Sequence, residues 1–218
     1  MTRYAEITGR VRDAATRAGR SPDEITLVAV SKTKSVDEIK AVYDLGHRDF
    51  GENRAQELAA KAPLLPDDIR WHFVGSLQTN KVRMIRSTTS LLHSVDRESL
   101  AKAWVKGSGM PPPVLLQVNV ADEPQKSGVA VSELPELLSK TADLGLEVRG
   151  LMAIPPIPDF PEDSREHFAS LRLLAENIDK PEGWSGELSM GMTDDFEVAI
   201  EEGSSIIRVG RAIFGPRE

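Results

Sequence analysis

The chain alternates short apolar runs with segments whose apolar residues recur at helical spacing. The first run, ITLVAVS at 25–31, is apolar on both faces, which is typical of a parallel strand buried on both sides. Such runs predict eight strands, at 25–31, 48–53, 70–75, 91–95, 114–120, 146–154, 187–190 and 205–214. The amphipathic segments predict helices at 35–45, 54–62, 79–86, 97–106, 131–144, 162–177 and 194–202, and one more within residues 1–20.

This alternation predicts an α/β protein with a single domain over residues 1–218. Eight strands that alternate with helices are the elements of a (β/α)8 TIM barrel, with residues 1–20 packed on it as an N-terminal helix. A doubly wound open sheet is the alternative. No Gly-x-Gly-x-x-Gly follows the first strand, which disfavours a dinucleotide-binding version of that sheet. Asp194 and Glu197 resemble a capping box that opens the last predicted helix.

Composition excludes several classes of protein. The 218 residues contain no cysteine, so disulfide scaffolds, zinc–thiolate sites and thiol nucleophiles are ruled out. The four histidines show no metal-binding spacing, and no metal is expected. A net charge of −7 argues against binding to nucleic acid or to anionic membranes. No apolar run approaches ~20 residues, and residues 1–20 lack the apolar core of a signal peptide, so the expectation is a cytoplasmic protein.

Lys32 is the most informative residue at the end of a predicted strand. It follows the run LVAVS, and strand alternation places Val28, Val30 and Lys32 on one face. If that face lines the barrel, the amine is partly desolvated and suited to form a Schiff base with a carbonyl compound. An ion-paired lysine at the rim is the alternative. Glu52 and Asn53 end the second strand, where they could serve either acid–base chemistry or capping.

The C-terminal part of the chain carries a candidate anion site. Barrels often bind phosphate with the loops that follow strands seven and eight. Ser189 offers a hydroxyl, and Gly191 and Gly210 would allow backbone N–H groups to approach an anion closely. Asp194 and Asp195 lie just beyond and would repel phosphate if they faced it. The alternative is that both glycines serve turns.

Six motifs in fixed order then give the chain a family resemblance. They are VAVSKTK (28–34), FGENRAQE (50–57), WHFVGSLQTNK (71–81), GLMAI (150–154), LSMGMTDD (188–195) and RVGRAIFG (208–215). Together they resemble the pyridoxal phosphate homeostasis proteins, which are similar in fold to the N-terminal barrel of bacterial alanine racemase. The resemblance extends from about residue 4 to residue 216.

The resemblance implies that pyridoxal 5′-phosphate (PLP) is the cofactor. Lys32 matches the lysine that forms the Schiff base with PLP, and Asn53 matches a residue beside the cofactor ring. Arg208 matches the arginine that faces the pyridine nitrogen. Met152 and Met190 match residues that line the pocket.

The phosphate site is implied in the same way. Ser189 matches a phosphate-binding hydroxyl, and the backbone of Gly210 and Arg211 matches the phosphate-binding turn. Gly191 belongs to the same cofactor-binding set. Many relatives have serine or threonine where this chain has Arg211, so the role of that side chain stays open.

An arginine at the pyridine nitrogen bears on function. Arg208 is always charged, so it disfavours protonation of that nitrogen and weakens PLP as an electron sink. The chain also lacks a match to the C-terminal domain of alanine racemase. The resemblance therefore implies a non-catalytic protein of intracellular PLP homeostasis, which buffers PLP and delivers it to PLP-dependent apo-enzymes. The open rim of a small barrel and the acidic net charge are compatible with a monomer, which is the expected state. The alternatives are a weak PLP-dependent amino-acid racemase and a cofactor-free class I aldolase that uses Lys32.

Overall fold

Eight parallel strands form a closed barrel in the computed structural model, which describes residues 2–123 and 125–216. The strands follow one another around the barrel in chain order, and the last pairs with the first, with Thr26 opposite Ile206. Their bounds are β1 Thr26–Val30, β2 Asp49–Glu52, β3 Arg70–Phe73, β4 Thr89–Val95, β5 Val114–Gln117, β6 Val148–Met152, β7 Glu187–Ser189 and β8 Ile206–Val209. The predicted (β/α)8 barrel is confirmed, and the open sheet is excluded.

The helices surround this barrel. They are α1 Arg3–Arg17, α2 Val36–Tyr43, α3 Ala55–Lys61, α4 Val82–Ile85, α5 Glu98–Val105, α6 Leu134–Asp143, α7 Arg165–Asn177, α8 Phe196–Glu201 and α9 Arg211–Phe214. Short 3-10 turns precede α4, α6 and α7 and account for the longer predicted helices there. Residues 1, 124, 217 and 218, which the predicted domain includes, lie outside the described residues. No helix within the described ranges is long and apolar enough to cross a membrane.

The apolar side chains form two layers. The larger one fills the space between the strands and the helices, and its biggest fully buried members are Trp104, Phe50, Phe73, Phe168 and Phe196. The smaller one lies inside the barrel and consists of Val28, Leu91, Leu115, Met152 and Ile206. Successive side chains of a strand point alternately into the barrel and towards the helices, so the continuous apolar runs of the sequence contribute to both layers.

Helix α1 begins with a capped first turn and packs against α8 and α9. The hydroxyl of Thr2 accepts a hydrogen bond from the backbone N–H of Ala5. Its apolar face buries Ile7, Val11 and Ala14. A helix of this length is marginal alone, so this buried face supplies much of its stability.

The last predicted strand is wrong beyond Val209. The sequence predicts a strand over 205–214, whereas β8 ends at Val209 and the chain turns into α9. Gly210 lies so close to β1 that an added Cβ would sit 3.1 Å from the carbonyl oxygen of Val30. After this contact Ile213 is buried as part of the outer apolar layer, beside the N-terminal helix. A short apolar run has the same pattern in a strand and in a buried helix, which is why the pattern misled here.

The predicted capping box at Asp194 is also wrong. Helix α8 begins at Phe196, with Asp195 as its N-cap residue. The carboxylate of Asp195 accepts from the backbone N–H of Met192 at 2.7 Å and from the hydroxyl of Ser164 at 2.8 Å. Asp194 instead forms an ion pair with Arg211. Both carboxylates are therefore engaged in contacts other than a capping box.

Candidate functional site

A cavity of about 780 Å³ opens at the carboxyl ends of the strands. This is the end of a parallel barrel where ligands bind, because the loops there are free to carry function. Five of the predicted site residues line it: Lys32, Asn53, Arg208, Gly210 and Arg211. The sequence places these residues far apart, and barrel closure between β1 and β8 brings them together.

Lys32 lies in the turn that follows β1. Val30 and Lys32 both line the cavity, and Val28 lies below them inside the barrel. The next residue, Thr33, has a left-handed backbone with φ of 64°. Its N–H donates to Oε2 of Glu57 at 2.8 Å, which holds the turn in this unusual conformation. A side chain of α3, Glu57, therefore fixes the backbone conformation next to Lys32.

The side chain of Glu52 lies on the outer face of β2, towards α3 and away from the cavity. It is fully buried, and its Oε1 accepts from Ser31 Oγ at 2.8 Å and from Lys61 Nζ at 2.7 Å. Burial raises the pKa of Glu52, although Lys61 opposes this shift. Lys61 also donates to the carbonyl oxygen of Ser31 at 3.0 Å. Glu52 thus supports the turn that carries Lys32, and acid–base chemistry in the cavity is the wrong interpretation of it.

Asn53 offers the cavity an unused acceptor. Its side-chain Oδ1 is buried and has no hydrogen-bond partner among the described residues. Buried polar atoms are nearly always paired, so an unpaired one beside a cavity fits a ligand group. Gly75 allows this placement, because a Cβ there would sit 2.2 Å from the carbonyl oxygen of Asn53.

Arg208 brings a buried positive charge to the cavity. It is 4% exposed, and its guanidinium donates to Ser189 Oγ at 2.6 Å and to the carbonyl oxygen of Ala153 at 2.9 Å. Burial lowers the pKa of Arg208 to about 10. The guanidinium therefore stays charged at pH 7, although both of these hydrogen-bond acceptors are neutral.

The other four predicted residues lie behind the cavity lining. Ser189 is fully buried, and its Oγ contacts Arg208 and Nδ1 of His93, the latter at 2.8 Å. Met152 belongs to the inner apolar layer, and Met190 belongs to the outer one. Gly191 packs against α8, where an added Cβ would come 2.5 Å from Cβ of Ala199. Their direct contact with a ligand remains a prediction.

The candidate anion site lies between β8 and α9. Gly210 and Arg211 line the cavity where α9 begins, and the first N–H groups of a helix have no acceptor within it. Asp194 and Asp195 both line the cavity, so the condition under which the sequence expected repulsion is met. Arg211 offsets the charge of Asp194 in an ion pair, whereas Asp195 accepts from the neutral hydroxyl of Ser164.

Several lining residues were not assigned to the site from the sequence, although Ser76 is one of the polar residues at the predicted strand ends. They come from the loops after β3, β5, β6 and β7, and include Ser76, Lys126, Ser127, Ile154, Ile157 and Thr193. The hydroxyls of Ser76 and Ser127 contact each other at 2.8 Å across the site. Polar loop residues of this kind have no periodicity, so only the fold places them.

Comparison with known proteins identifies the family. No family model matches the chain. A pyridoxal phosphate homeostasis protein of Aquifex aeolicus is 41% identical over 222 residues, which cover 99% of this chain and 97% of that protein. One of Pseudomonas aeruginosa is 43% identical over 219 residues, covering 98% and 94%. The chain belongs to the pyridoxal phosphate homeostasis protein family.

Solved structures agree with this family membership. PipY of Synechococcus elongatus, with PLP bound, matches with a TM-score of 0.80 and 35% identity, over 94% of this chain and all of that one. Alanine racemase from Corynebacterium glutamicum matches with a TM-score of 0.69 over 95% of this chain and 59% of that one. Its identity of 18% shows a shared fold alone. The predicted resemblance to this barrel is confirmed.

Proposed function

We propose that the protein binds PLP in the cavity through Lys32 and serves PLP homeostasis rather than catalysis. The observation that carries the proposal is the meeting of Lys32, Asn53 and Arg208 in one cavity. Relatives at 41% and 43% identity are named for PLP homeostasis and not for a reaction.

The residues of the cavity fit the chemical groups of PLP. When bound, PLP supplies an aldehyde that condenses reversibly with an amine, and Lys32 offers that amine. The unpaired Oδ1 of Asn53 offers an acceptor for a hydroxyl, and Arg208 offers a charged donor for a ring nitrogen. The backbone of Gly210 and Arg211, at the start of α9, offers N–H donors for a phosphate. Ser189, Gly191, Met152 and Met190 would act from behind this lining.

Arg208 supports binding over catalysis. Its guanidinium is charged at pH 7 and fixed by Ser189 and by the carbonyl of Ala153. A second positive charge beside it is unfavourable, so Arg208 keeps a nitrogen that faces it unprotonated. PLP is a weaker electron sink in that state, which suits a protein that holds the cofactor without reacting it further.

The proposal extends to partners and location. We infer a cytoplasmic monomer that hands PLP to PLP-dependent apo-enzymes. The cavity opens beside Ile157, which is 89% exposed, so a bound ligand lies close to the surface. Faster activation of an apo-enzyme by the loaded protein than by the same amount of free PLP would support transfer. Equal rates would leave buffering alone, and sedimentation would test the monomer.

The experiment that tests binding compares the wild type with two lysine variants. Purified protein is mixed with PLP, its visible absorption is recorded, and borohydride then fixes the cofactor to its lysine. The wild type and Lys34→Ala should show the band and a label on Lys32, and Lys32→Ala should show neither. Lys34 is the matched control because its ammonium lies outside the cavity, at 3.1 Å from Glu38.

The opposite outcomes are equally clear. No band in the wild type, or a band that survives in Lys32→Ala, would overturn the proposal. A phosphorylated sugar trapped on Lys32 in place of PLP would establish the aldolase alternative. Racemisation of an amino acid at ordinary enzyme rates, lost in Lys32→Ala, would establish the racemase.

A further inference from the structure

A line of hydrogen-bonded side chains runs through the barrel from its amino end to Arg208. His72 Nε2 lies 3.2 Å from Asp49 Oδ1, and His72 Nδ1 lies 2.9 Å from His93 Nε2. His93 Nδ1 lies 2.8 Å from Ser189 Oγ, which accepts from Arg208 at 2.6 Å. We call these five residues the interior chain. It links one end of the barrel to the cavity at the other.

The interior chain is shielded from water. His93 and Ser189 are fully buried, and His72 is 6% exposed. The members lie on β2, β3, β4, β7 and β8, and the inner apolar layer fills the space beside them. Buried polar groups persist only when their hydrogen bonds are satisfied, and each contact then acts at low dielectric. A change at one member is therefore felt by its neighbours.

The two ends fix the direction of the hydrogen bonds. Arg208 can only donate, and the carboxylate of Asp49 can only accept, so His72 carries a hydrogen on Nε2. Burial, and after it the neighbouring His72 and Arg208, hold the pKa of His93 well below its usual range, so His93 is neutral. It has one donor and one acceptor.

One order of donors and acceptors satisfies every group. His93 donates from Nε2 to Nδ1 of His72, and the hydroxyl of Ser189 donates to Nδ1 of His93. In the reverse order His72 would carry hydrogens on both nitrogens. The hydroxyl hydrogen of Ser189 would then lose its acceptor, since among the described residues its oxygen contacts only His93 and Arg208. A buried donor without an acceptor is unfavourable. All donors thus point from Arg208 towards Asp49.

Asp49, the member of the interior chain at the amino end of the barrel, is held in its charged form. Arg70 donates to both oxygens of Asp49, at 2.7 Å and 2.5 Å. Burial opposes ionisation of Asp49, but the hydrogen bonds from His72 and Arg70 outweigh it and hold the pKa of this carboxyl well below its usual range. A carboxylate strengthens the hydrogen bond that it accepts. Through the two histidines it makes Ser189 Oγ a stronger acceptor for Arg208.

We propose that Asp49, His72, His93 and Ser189 are positioning residues of the cofactor site, which act through Arg208. Through the interior chain, the charge of Asp49 determines how firmly Arg208 is held and how strongly it acts on a ring nitrogen in the cavity. The proposal rests on the proposed function for the identity of that ligand. The donor-to-acceptor direction of the interior chain does not rest on the proposed function, because it is a property of the protein alone.

The first experiment uses the cofactor-free protein. Imidazole nitrogen resonances of 15N-labelled histidine report which nitrogen carries the hydrogen. His72 and His93 should both be protonated on Nε2 and bare on Nδ1. In Ser189→Ala the Nδ1 resonance of His93 should shift, because its donor is gone. A His93 that carries its hydrogen on Nδ1, or an unchanged resonance in Ser189→Ala, would overturn the proposal.

The second experiment changes the charge at the far end in two opposite ways. Asp49→Asn keeps an acceptor for His72 but removes the negative charge, and Arg70→Gln removes its counter-charge. The absorption maximum of bound PLP and the His93 Nδ1 resonance should move in opposite directions in the two variants. Asp49→Asn should also weaken PLP affinity by about threefold to tenfold. Asp68→Asn is the matched control, since Asp68 pairs with Arg48 at the same end and lies outside the chain.

The outcomes separate this proposal from the proposed function. If wild type takes up no PLP, the proposed function fails, and the nitrogen resonances still decide the direction of the chain. If wild type takes up PLP but Asp49→Asn and Arg70→Gln both match Asp68→Asn, the proposal fails and the function stands. The double variant Asp49→Asn with Ser189→Ala should have no larger effect on PLP affinity than Ser189→Ala alone. Additive effects would overturn the proposal.

Discussion

The two ends of the barrel differ in how their charged side chains are paired. At the amino end, Asp49 is paired with Arg70, and Asp68 is paired with Arg48 at 2.6 Å. At the carboxyl end, Asn53 Oδ1 is unpaired among the described residues, and Arg208 donates to neutral oxygens. The contrast holds for these ion pairs and not for every polar group, since Glu187 Oε2 at the start of β7 is also buried without a partner among the described residues. What distinguishes Asn53 and Arg208 is that both line the cavity.

The backbone shows the same contrast. The turn between α2 and β2, at the amino end, has Gly46 at φ of 95°, which glycine adopts without strain. The turn after β1, at the carboxyl end, has Thr33 at φ of 64°, which is costly for a β-branched residue. The costly conformation is thus adjacent to Lys32, where the hydrogen bond that the Thr33 N–H donates to Glu57 maintains it.

The largest expected effect comes from removing the charge at the carboxyl end. Arg208→Met should weaken PLP binding by about 100-fold, because a charged hydrogen bond to the ligand is lost. The free energy of unfolding should change by no more than about 2 kcal/mol, since a buried charge is removed together with its hydrogen bonds. Titration with PLP and urea unfolding measure the two effects.

Arg48→Met is the control for that variant, because Arg48 lies at the amino end and stacks on Tyr43 at 3.8 Å. It should bind PLP as the wild type does. Equal loss of PLP binding in the two arginine variants would remove the distinction between the ends.

The next effect concerns the pH dependence of stability. The pKa of Asp49 is lowered in the folded protein, so its contribution is present above the pKa of the unfolded chain, about 3.9, and is lost as the pH falls through the folded value. Asp49→Asn should therefore lower the free energy of unfolding by about 2 kcal/mol at pH 7. Urea unfolding from pH 7 to pH 3 should show the difference shrinking below about pH 4. A difference that grows on acidification would contradict this assignment.

The smallest effects test the backbone contrast. Gly46→Ala should lower the free energy of unfolding by about 1 kcal/mol, because alanine is strained at positive φ. Thr33→Gly should raise it by about 0.5 kcal/mol, since relief of strain exceeds the extra chain entropy. Thermal unfolding of both variants measures this, and changes of the same sign would show that the two turns are not distinguished by strain.

The barrel was predictable because its signal is local and repeated. The run at 25–31 and its counterparts alternate with helical segments, and β1 at Thr26–Val30 lies within the first of them. The helix at Arg211–Phe214 was not predictable, because its apolar residues fit a strand equally well until Gly210 meets the backbone of Val30.

The residues of the candidate site also divide into those that the sequence indicates and those that only the fold reveals. Motif resemblance nominated Lys32, Asn53 and Arg208, and the fold brings them to one cavity. The sequence treated Ser189 as a phosphate ligand and gave His72 and His93 no role. Their contacts join residues up to 96 positions apart, such as His93 and Ser189, so no local pattern signals them.

By itself, the sequence determined the alternation of strands and helices, the family, and the lysine on which the proposed function depends. These depend on side-chain type and spacing, which are properties of the chain. The tertiary structure decided which polar groups are paired, which stay available in the cavity, and that a buried line of side chains connects Asp49 to Arg208. Those depend on closure of the barrel, because only closure brings β8 next to β1 and encloses the interior.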